Sequence, residues 1–387
     1  MWGGAGMKRV KLSDAFDLQM GKTPSRKHLA YWRGGTEPWI SIADLSNCGK
    51  YIEQTKENIT SDAVQESNIK IVPKNTVVMS FKLSIGKVAI TKRNMYTNEA
   101  IMAFHDRGRY EILTDYLYYF CKGNNWSAGT NKAVMGLTLN KKTLSEQTML
   151  LPDMPEQEKI VKKLDALQES ISNRQHVLML LDELVRSRFV EMFGDPGINP
   201  HKWPLVSLGN LGELNRGVSK HRPRNDPSLL NGKYPLIQTG DVAAANLYIR
   251  QYHATYSEIG LQQSRMWPKG TLCITIAANI AKTGILDFDA CFPDSVVGFI
   301  PDKINVLYMH FWFSFFQKII EEQAPQSAQK NINLKILHSM QVGVPPLELQ
   351  TQFATFVHQV DATKSSVQSQ LDSLTTLRAK LMQDFFG

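Results

Sequence analysis

The stretch LPDMPEQEKIVKKLDAL, residues 151–167, recurs in outline as VPPLELQTQFATFVHQV at residues 344–360. At a constant offset of 193 positions and without a gap, the match extends over residues 152–194 and 345–387. Each copy opens with prolines, which suit the first turn of a helix but not its interior, and each ends at glycine, a frequent helix stop. The sequence therefore contains the same helical segment twice.

Apolar residues in both copies follow a heptad pattern. In the first copy position a is apolar and position d includes arginines, whereas in the second copy d is apolar and a includes Lys364 and Arg378. In an antiparallel pair a layers meet d layers, so the apolar rows face each other and the charged stems lie at the seam's edge. A parallel pair would set Ile171 against Lys364 and Val185 against Arg378. We therefore predict an intramolecular antiparallel coiled coil. Its seam residues are Leu164, Leu167, Ile171, Leu178, Leu181, Val185, Val357, Val360, Val367, Leu371, Leu374 and Leu381.

A helix from Pro155 to Phe193 would be roughly 58 Å long at about 1.5 Å per residue, which is the length of a spacer. The alternative is that each helix packs only on the domain next to it.

Length and composition indicate a multidomain intracellular protein. A chain of 387 residues exceeds the size of most single cores, so two or three domains are expected. The four cysteines show no CxxC pair and no histidine spacing suited to zinc, and no apolar run is long enough to span a bilayer. These features predict a cytoplasmic protein with reduced thiols and without metal or cofactor. Residues 1–6 are expected to be an extension before a fold that starts at Met7.

Positive charge is concentrated outside the repeated helices. Residues 7–151 contain 21 Lys and Arg against 13 Asp and Glu, and residues 198–344 contain 14 against 10. Residues 152–197 and 345–387 carry net charges of −3 and −1. The net charge of +8 therefore arises from the two long regions, which permits nucleic acid or an anionic surface as a partner.

The two long regions also resemble each other weakly. IVPKNTVVMSFKLSIGKVAI (71–90) is similar to MWPKGTLCITIAANIAKTGIL (266–286), and short β-branched runs in both predict strands. Helices are expected near 110–122 and 304–323. The fold class is therefore α/β (α+β). The predicted organisation is a first domain at 7–151, a helix at 152–194, a second domain at 195–344 and a second helix at 345–387.

The order of these motifs resembles the specificity subunit of a Type I restriction-modification system. The helix LPDMPEQEKIVKKLDAL is followed by the break FGDP (193–196), the restart VSLGN (206–210) and the helix PPLELQTQFATFVHQVD (345–361). The resemblance covers nearly the whole chain from Met7, and it is more specific in the helices and the restart than in the variable regions.

The resemblance implies a non-catalytic subunit with two target-recognition domains, each reading one half of a bipartite, asymmetric site on double-stranded DNA. The paired helices would hold the domains apart and bind two modification (adenine methyltransferase) subunits, and restriction (translocase-nuclease) subunits can join such a complex.

Candidate DNA contacts are donor-rich or basic loops, because base readout requires Arg, Lys, Asn, Gln or Ser, and phosphate contact requires Lys, Arg or backbone amides. For each loop, the alternative is a solvent-exposed turn. The candidate loops are GKTPSRK (21–27), FKLSIGK (81–87), KGNNWSAGTNK (122–132), RGVSKHRPR (216–224), AANIAKTG (277–284) and QSAQKN (326–331). The candidate DNA-binding residues are Lys22, Thr23, Ser25, Arg26, Lys27, Lys82, Ser84, Lys87, Asn124, Asn125, Asn131, Lys132, Lys220, His221, Arg222, Arg224, Asn279, Lys282, Gln329, Lys330 and Asn331.

Catalytic interpretations are weaker. MGKT (20–23) resembles the end of a P-loop, but Phe16 stands where that motif requires glycine. Asp287 and Asp289 are not followed by a basic residue at nuclease spacing, and no methyltransferase motif is recognised. No catalytic residue is therefore predicted. The two alternatives are a coiled-coil adaptor that binds only proteins, and a stand-alone DNA-modifying enzyme with an unrecognised motif.

Overall fold

The structure is a computed structural model that describes residues 8–82, 84–126, 131–133, 136–277, 280–315 and 333–387. It divides into two compact units. Unit 1 comprises Met1–Gln175 together with Ser369–Gly387, and unit 2 comprises His176–Gln368. Each of two long helices is therefore divided between the units.

Unit 1 is an α/β unit of short strands and short helices. Its strands are β1 (Lys8–Lys11), β2 (Phe16–Met20), β3 (Glu37–Ile40), β4 (Tyr51–Ile52), β5 (Glu57–Ile59), β6 (Val77–Ser80), β7 (Val88–Thr91), β8 (Tyr96–Thr97), β9 (Ile101–Asp106), β10 (Asn131–Ala133), β11 (Gly136–Thr138) and β12 (Thr148–Leu151). Its helices are α1 (Leu12–Ala15), α2 (Ile42–Asn47), α3 (Ser61–Glu66), α4 (Thr114–Gly123), α5 (Lys141–Glu146) and the first part of α6 (Met154–Phe193).

Unit 2 is built from a similar set of short strands and helices. Its strands are β13 (Leu205–Ser207), β14 (Gly212–Arg216), β15 (Leu230–Leu236), β16 (Tyr248–Ile249), β17 (Ala254–Tyr256), β18 (Met266–Trp267), β19 (Leu272–Thr275), β20 (Thr283–Leu286), β21 (Ala290–Cys291), β22 (Val296–Pro301) and β23 (Gln341–Gly343). Its helices are α7 (Thr239–Ala244), α8 (Glu258–Gln262), α9 (Val306–Phe313), α10 (Leu334–Ser339) and the first part of α11 (Leu347–Phe386).

The two units share one sheet topology. The larger sheet has the order β2-β9-β6-β7-β4 in unit 1 and β14-β22-β19-β20-β16 in unit 2. A smaller sheet follows in each, β5-β3-β8 and β17-β15-β21-β18, and the antiparallel pairs β1-β12 and β13-β23 join the beginning of each domain to its end. The predicted α/β class is confirmed, and the weak echo between 71–90 and 266–286 corresponds to equivalent hairpins.

Burial on both faces explains why the central strands are continuously apolar. Successive side chains of a strand point to opposite faces. In β6, Val77 and Met79 pack in a cluster with α4, and Val78 packs in another with Ile40 and Leu45. Helices were expected near 110–122 and 304–323. The structure has α4 at Thr114–Gly123 and α9 at Val306–Phe313, and residues 316–332 lie outside the described residues.

The long helices pair antiparallel in each unit. In unit 1, Arg378 donates to the Gln168 side chain at 2.7 Å and Arg174 donates to that of Gln370 at 3.1 Å. The residue number rises along one helix as it falls along the other. This result confirms the predicted antiparallel pair.

Unit 2 shows the same direction of pairing. Lys364 forms an ion pair with Asp182, and further along α6 Phe189 contacts Phe353 with ring centroids 5.5 Å apart. The charged residues predicted at the seam's edge are half-buried, and Arg174, Lys364 and Arg378 reach polar side chains on the other helix. Among the seam residues, Leu164, Leu167, Ile171, Val185, Val357 and Val360 are buried, and Leu178, Leu181, Val367, Leu371, Leu374 and Leu381 are half-buried.

The helix ends also complete the cores of the units. Phe386 contacts Tyr116 and Phe120 in unit 1, whereas its repeat equivalent, Phe193, contacts Tyr308 and Phe353 in unit 2. The alternative in which each helix packs only on its neighbouring domain is therefore wrong, because each long helix packs in one unit at its start and in the other unit at its end.

Each long helix begins with the same buried glutamine contact. Gln157 is 1% exposed, and its Nε2 donates to the carbonyls of Glu111 and Pro152 at 2.9 and 3.0 Å. Its Oε1 accepts from the Leu113 amide at 2.9 Å. At the equivalent position, Gln350 donates to the Pro345 carbonyl at 2.7 Å and accepts from the Asn305 amide at 2.8 Å. The glutamine shared by the two repeated motifs thus fixes each helix start to its unit.

Candidate nucleic-acid interface

Two candidate loops of unit 1 lie at one edge of its larger sheet. The Gly21 amide, directly after β2, donates to the Ile101 carbonyl at 3.1 Å, and the Phe81 amide, directly after β6, donates to the Ala100 carbonyl at 2.9 Å. Both loops, 21–27 and 81–87, therefore border the turn before β9. We call this edge, formed by loops 21–27, 81–87 and 98–100, the loop edge of unit 1.

Unit 2 has an equivalent loop edge, formed by residues 217–224, 276–282 and 292–295. The Gly217 amide donates to the Val296 carbonyl at 2.8 Å, and the Ile276 amide donates to the Ser295 carbonyl at 3.1 Å. The fold thus brings together, in each unit, a basic loop and a hairpin loop that are more than 50 residues apart in sequence.

A glycine at the start of each basic loop allows close approach to the sheet. A Cβ atom on Gly21 would lie 2.2 Å from the Thr97 carbonyl oxygen, and one on Gly217 would lie 2.3 Å from the Phe292 carbonyl oxygen. Since real Cβ contacts are not so short, a larger residue would displace the loop. Each basic loop therefore begins with a glycine that lets its backbone pass close to a neighbouring carbonyl.

The hairpin loops are held by equivalent hydroxyl groups. The Ser80 side chain accepts a hydrogen bond from the Lys87 amide at 3.0 Å, and the Thr275 side chain accepts one from the Lys282 amide at 3.0 Å. Both lysine side chains are exposed. The fixed backbone thus presents a lysine at the same place in each unit.

The arginine of loop 21–27 is engaged within unit 1. Arg26 donates to both carboxylate oxygens of Glu57, at 2.6 and 2.9 Å, and its guanidinium lies 3.7 Å from the ring centroid of Trp32. The hydrogen bonds to Glu57 raise the pKa of Arg26, and those from Arg26 lower the pKa of Glu57. This fixed cation is 52% exposed, so one side of it remains open to an anion or a base edge.

The arginines of loop 216–224 are also engaged. Arg224 forms an ion pair with Asp294, and Arg222 lies 3.6 Å from the same carboxylate while donating to the Ser219 carbonyl at 2.6 Å. His221 Nε2 lies 3.3 Å from an Asp226 carboxylate oxygen. Hydrogen bonds from the Ser228 hydroxyl and amide, followed by that of His221, lower the pKa of Asp226.

The lysines at the loop edges differ from the arginines. Lys22, Lys27, Lys87, Lys220 and Lys282 are exposed and form no ion pair within the part of the chain that the structure describes. They are available to phosphate groups.

Three other candidates of unit 1 have individual surroundings. Lys82 is half-buried, with its ammonium 5.1 Å from the Phe81 ring centroid, whereas Ser25 and Ser84 are exposed.

The third loop of unit 1 is more buried than its composition indicated. Trp126 packs on Phe120, and its indole nitrogen donates to the Cys121 carbonyl at 2.8 Å, so this ring belongs to the core. Asn124 is half-buried, and Asn125 is exposed. The candidates whose side chains lie outside the described residues are Asn131, Lys132, Asn279, Gln329, Lys330 and Asn331.

Two acidic residues of the loop edges were not predicted from the sequence. Glu99 accepts a hydrogen bond from the Thr23 hydroxyl, and Asp294 binds Arg224. They stand at equivalent positions, 195 residues apart, each two residues before the start of β9 or β22. The sequence signal for these two residues is weak. When TNEAIMAF (97–104) is aligned with FPDSVVGF (292–299), the two segments share only an acidic residue and the strand that follows it.

The described residues contain no cluster of His, Cys, Asp and Glu that would hold a metal ion. None of the helices in the described ranges is long and apolar enough to cross a bilayer.

The fold and the loop edges define a protein of two repeated α/β units, each with a basic loop and an exposed hairpin lysine at the same sheet edge. The family model of the Type I restriction modification DNA specificity domain matches this chain twice, at residues 5–178 and 200–376. The chain therefore belongs to the family of Type I restriction-modification specificity subunits.

A relative of known sequence is similar to this chain over part of its length. The Type I restriction enzyme MjaIX specificity subunit of Methanocaldococcus jannaschii is 29% identical over 247 residues, which span 59% of this chain and 56% of that relative. The chain thus matches little more than half the length of that protein.

Two solved structures share the fold. The S subunit of a Type I restriction-modification system from M. genitalium superposes with a TM-score of 0.57 at 16% identity, covering 100% of this chain and 98% of that one. A chain from a study of assembly and conformational transition of the type I R-M system superposes with a TM-score of 0.64 at 16% identity, covering 99% and 98%.

Proposed function

We propose that the chain recognises a bipartite, asymmetric target on double-stranded DNA. In this proposal residues 7–151 and 195–344 are the two target-recognition domains, each reading one half-site. Residues 152–194 and 345–387 are the spacer helices that set the distance between the half-sites. The repetition of the loop edge supports the proposal, since two units with one topology present basic loops of different sequence.

The side chains at each loop edge suit two kinds of DNA contact. The exposed lysines supply phosphate contacts, which position a protein on the duplex without reading sequence. The fixed arginines, with the exposed Ser25 of loop 21–27, supply directed donors for base edges in the major groove. Because the two basic loops differ in sequence, GKTPSRK against RGVSKHRPR, the two half-sites should differ as well.

We propose that this chain directs, and does not perform, the chemistry on DNA. Its partners would be two modification (methyltransferase) subunits docked on the spacer helices, with restriction subunits joining the complex. A cytoplasmic location fits both the DNA target and the four cysteines, which are free thiols.

Methylome sequencing of cells with and without this chain tests the proposal directly. We expect one asymmetric, two-part methylated motif to disappear when the chain is absent, and an unchanged methylome would refute the proposal. Exchange of residues 7–151 for the domain of another family member should alter one half-site only, and a change in both halves would refute separate reading.

The spacer role has its own test. Deletion of one heptad from both helices, at opposed positions of the antiparallel seam, should shorten the unread gap of the motif and leave both half-sites unchanged. A changed half-site with an unchanged gap would refute the spacer role.

Two other functions are separable by experiment. A stand-alone modifying enzyme would methylate or cleave DNA when the purified chain alone is given S-adenosylmethionine and magnesium. A protein-binding adaptor would form the complex with the modification subunits but would not bind duplex DNA in a salt-dependent manner. The repeated basic loop edges favour DNA recognition over the adaptor.

A further inference from the structure

Each loop edge contains one carboxylate that holds the basic loop of its own unit. In unit 2, the Asp294 carboxylate bridges Arg222 and Arg224, which lie at the end of loop 217–224 away from Gly217. All three side chains remain partly exposed, at 36%, 55% and 46%. The carboxylate therefore lies where a DNA phosphate or base edge would approach the same arginines.

In unit 1, Glu99 occupies the equivalent position. It accepts a hydrogen bond from the Thr23 hydroxyl of loop 21–27. The partner atoms differ between the units, a hydroxyl in one and guanidinium groups in the other. The position in the fold is the same, because Glu99 lies in the turn between β8 and β9 and Asp294 lies in the turn between β21 and β22.

We propose that Glu99 and Asp294 are positioning residues for DNA recognition, each fixing the basic loop of one unit for base reading, and that Asp294 also restrains its two arginines from unselective phosphate contact. The proposal rests on the proposed DNA-recognition function. In this proposal two acidic residues contribute to sequence specificity, although their negative charge alone would weaken binding to DNA.

The physical reason is a difference between specific and unspecific binding. A carboxylate at the interface repels phosphate, so it weakens every complex on electrostatic grounds. A loop held in one conformation before binding loses less freedom on forming directed contacts with bases, so its specific complex is favoured. The same carboxylate therefore lowers unselective affinity and raises the ratio between correct and incorrect sites.

Asp294→Asn tests the proposal in unit 2, since asparagine keeps the size of the side chain and removes its charge. Asp302→Asn is the matched control, because Asp302 is exposed in the same unit and follows the opposite end of β22. The complex of the full chain with its modification subunits is measured on a fluorescent duplex bearing the motif found by methylome sequencing. Three further duplexes carry a scrambled first half-site, a scrambled second half-site or both half-sites scrambled.

We expect Asp294→Asn to reduce discrimination against the scrambled second half-site by roughly 5- to 150-fold, the range for loss of one good base contact. Discrimination at the first half-site should not change. The slope of log affinity against log salt on the fully scrambled duplex should steepen by about 1 to 2, as two arginines become free for phosphate. Asp294→Glu should restore much of the discrimination. Glu99→Gln should reduce discrimination against the scrambled first half-site without steepening the salt slope, because Arg26 stays paired with Glu57.

Hydrogen exchange of the peptide covering residues 218–226 is the second measurement, and it requires no DNA. The amides of Lys220 and His221 are hydrogen-bonded to the Gln263 side chain, so their protection reports the order of the loop. Asp294→Asn should accelerate their exchange, and Asp302→Asn should not.

Unchanged discrimination, salt slope and exchange would overturn the inference. Equal losses at both half-sites would overturn it as well, because they indicate a general effect on folding. If the wild-type complex binds no DNA, the proposed function fails, and the exchange measurement alone still decides whether Asp294 positions the loop.

Discussion

Replacement of Gln157 by methionine would test how the long helices are fixed to the units. Methionine has a similar length and helix propensity, so the substitution removes hydrogen bonds while retaining most of the packing. Gln157 forms three hydrogen bonds at 1% exposure, to the carbonyls of Glu111 and Pro152 and from the Leu113 amide. At about 1 kcal/mol of net stabilisation for each bond, the expected loss is about 3 kcal/mol in unit 1.

Hydrogen exchange resolved by segment is the appropriate measurement, because a chain of two units does not unfold as one two-state system. A loss of about 3 kcal/mol corresponds to an acceleration of roughly 150-fold at the Leu113 amide, at 1.4 kcal/mol for each factor of ten. Gln350→Met removes two bonds in unit 2, so we expect a loss of about 2 kcal/mol there, reported by the Asn305 amide.

Gln175→Met is the matched control on the same helix, since Gln175 is exposed and its replacement should change stability by less than about 0.5 kcal/mol. The reasoning is refuted if Gln157→Met leaves the Leu113 amide protected as in the wild type. It is also refuted if Gln157→Met accelerates exchange equally at Leu113 and Asn305.

Three other predictions follow from the packing, the charges and one buried histidine. Although Phe386 and Phe193 are repeat equivalents, Phe386→Ala should destabilise unit 1 by about 3–5 kcal/mol, whereas Phe193→Ala should destabilise unit 2 by a similar amount. Hydrogen exchange resolved by segment measures both effects, and a loss of stability in the same unit for both variants would contradict the prediction. Lys87→Ala and Lys282→Ala should each make the salt slope of DNA binding shallower by about 1 without changing base preference, as titration of duplex binding at several salt concentrations would show. Burial lowers the pKa of His310 to about 4, so the folded form disfavours its protonation. The stability of unit 2 should therefore be full above about pH 6.5 and fall by about 3 kcal/mol towards pH 4, a decline that His310→Gln should flatten in urea unfolding followed across pH.

Much of the fold was predictable because its signals are local or repeated. The heptads around Leu164 and Val360 predict a coiled-coil seam from local sequence alone. The positions of Lys364 and Arg378 then distinguish antiparallel from parallel pairing. The internal echo then extends to the domains, because the hairpins near Val77 and Leu272 derive from the same pattern of β-branched residues.

The loop edges were predictable only in part. Composition indicated loops 21–27 and 216–224, but it treated Arg26 and Lys27 alike, although one is held by a carboxylate 31 residues away and the other is exposed. Partners such as Glu57 and Asp294 are brought near by the sheet topology, which local sequence does not encode. Trp126 was placed in a polar loop because its neighbours are polar, whereas its own ring is covered by the core.

The division of α11 between the units has a consequence for the order of events at the ribosome. Unit 2 is continuous in sequence, from His176 to Gln368, and all of its parts have been translated before Ser369. Unit 1 begins earlier but requires residues 369–387, including the aromatic side chain of Phe386 that covers Tyr116. Unit 1 therefore cannot complete its fold until the whole of unit 2 has been synthesised, and until then its apolar surface is exposed to chaperones. This order is the reverse of the usual one, in which the N-terminal domain folds first during synthesis.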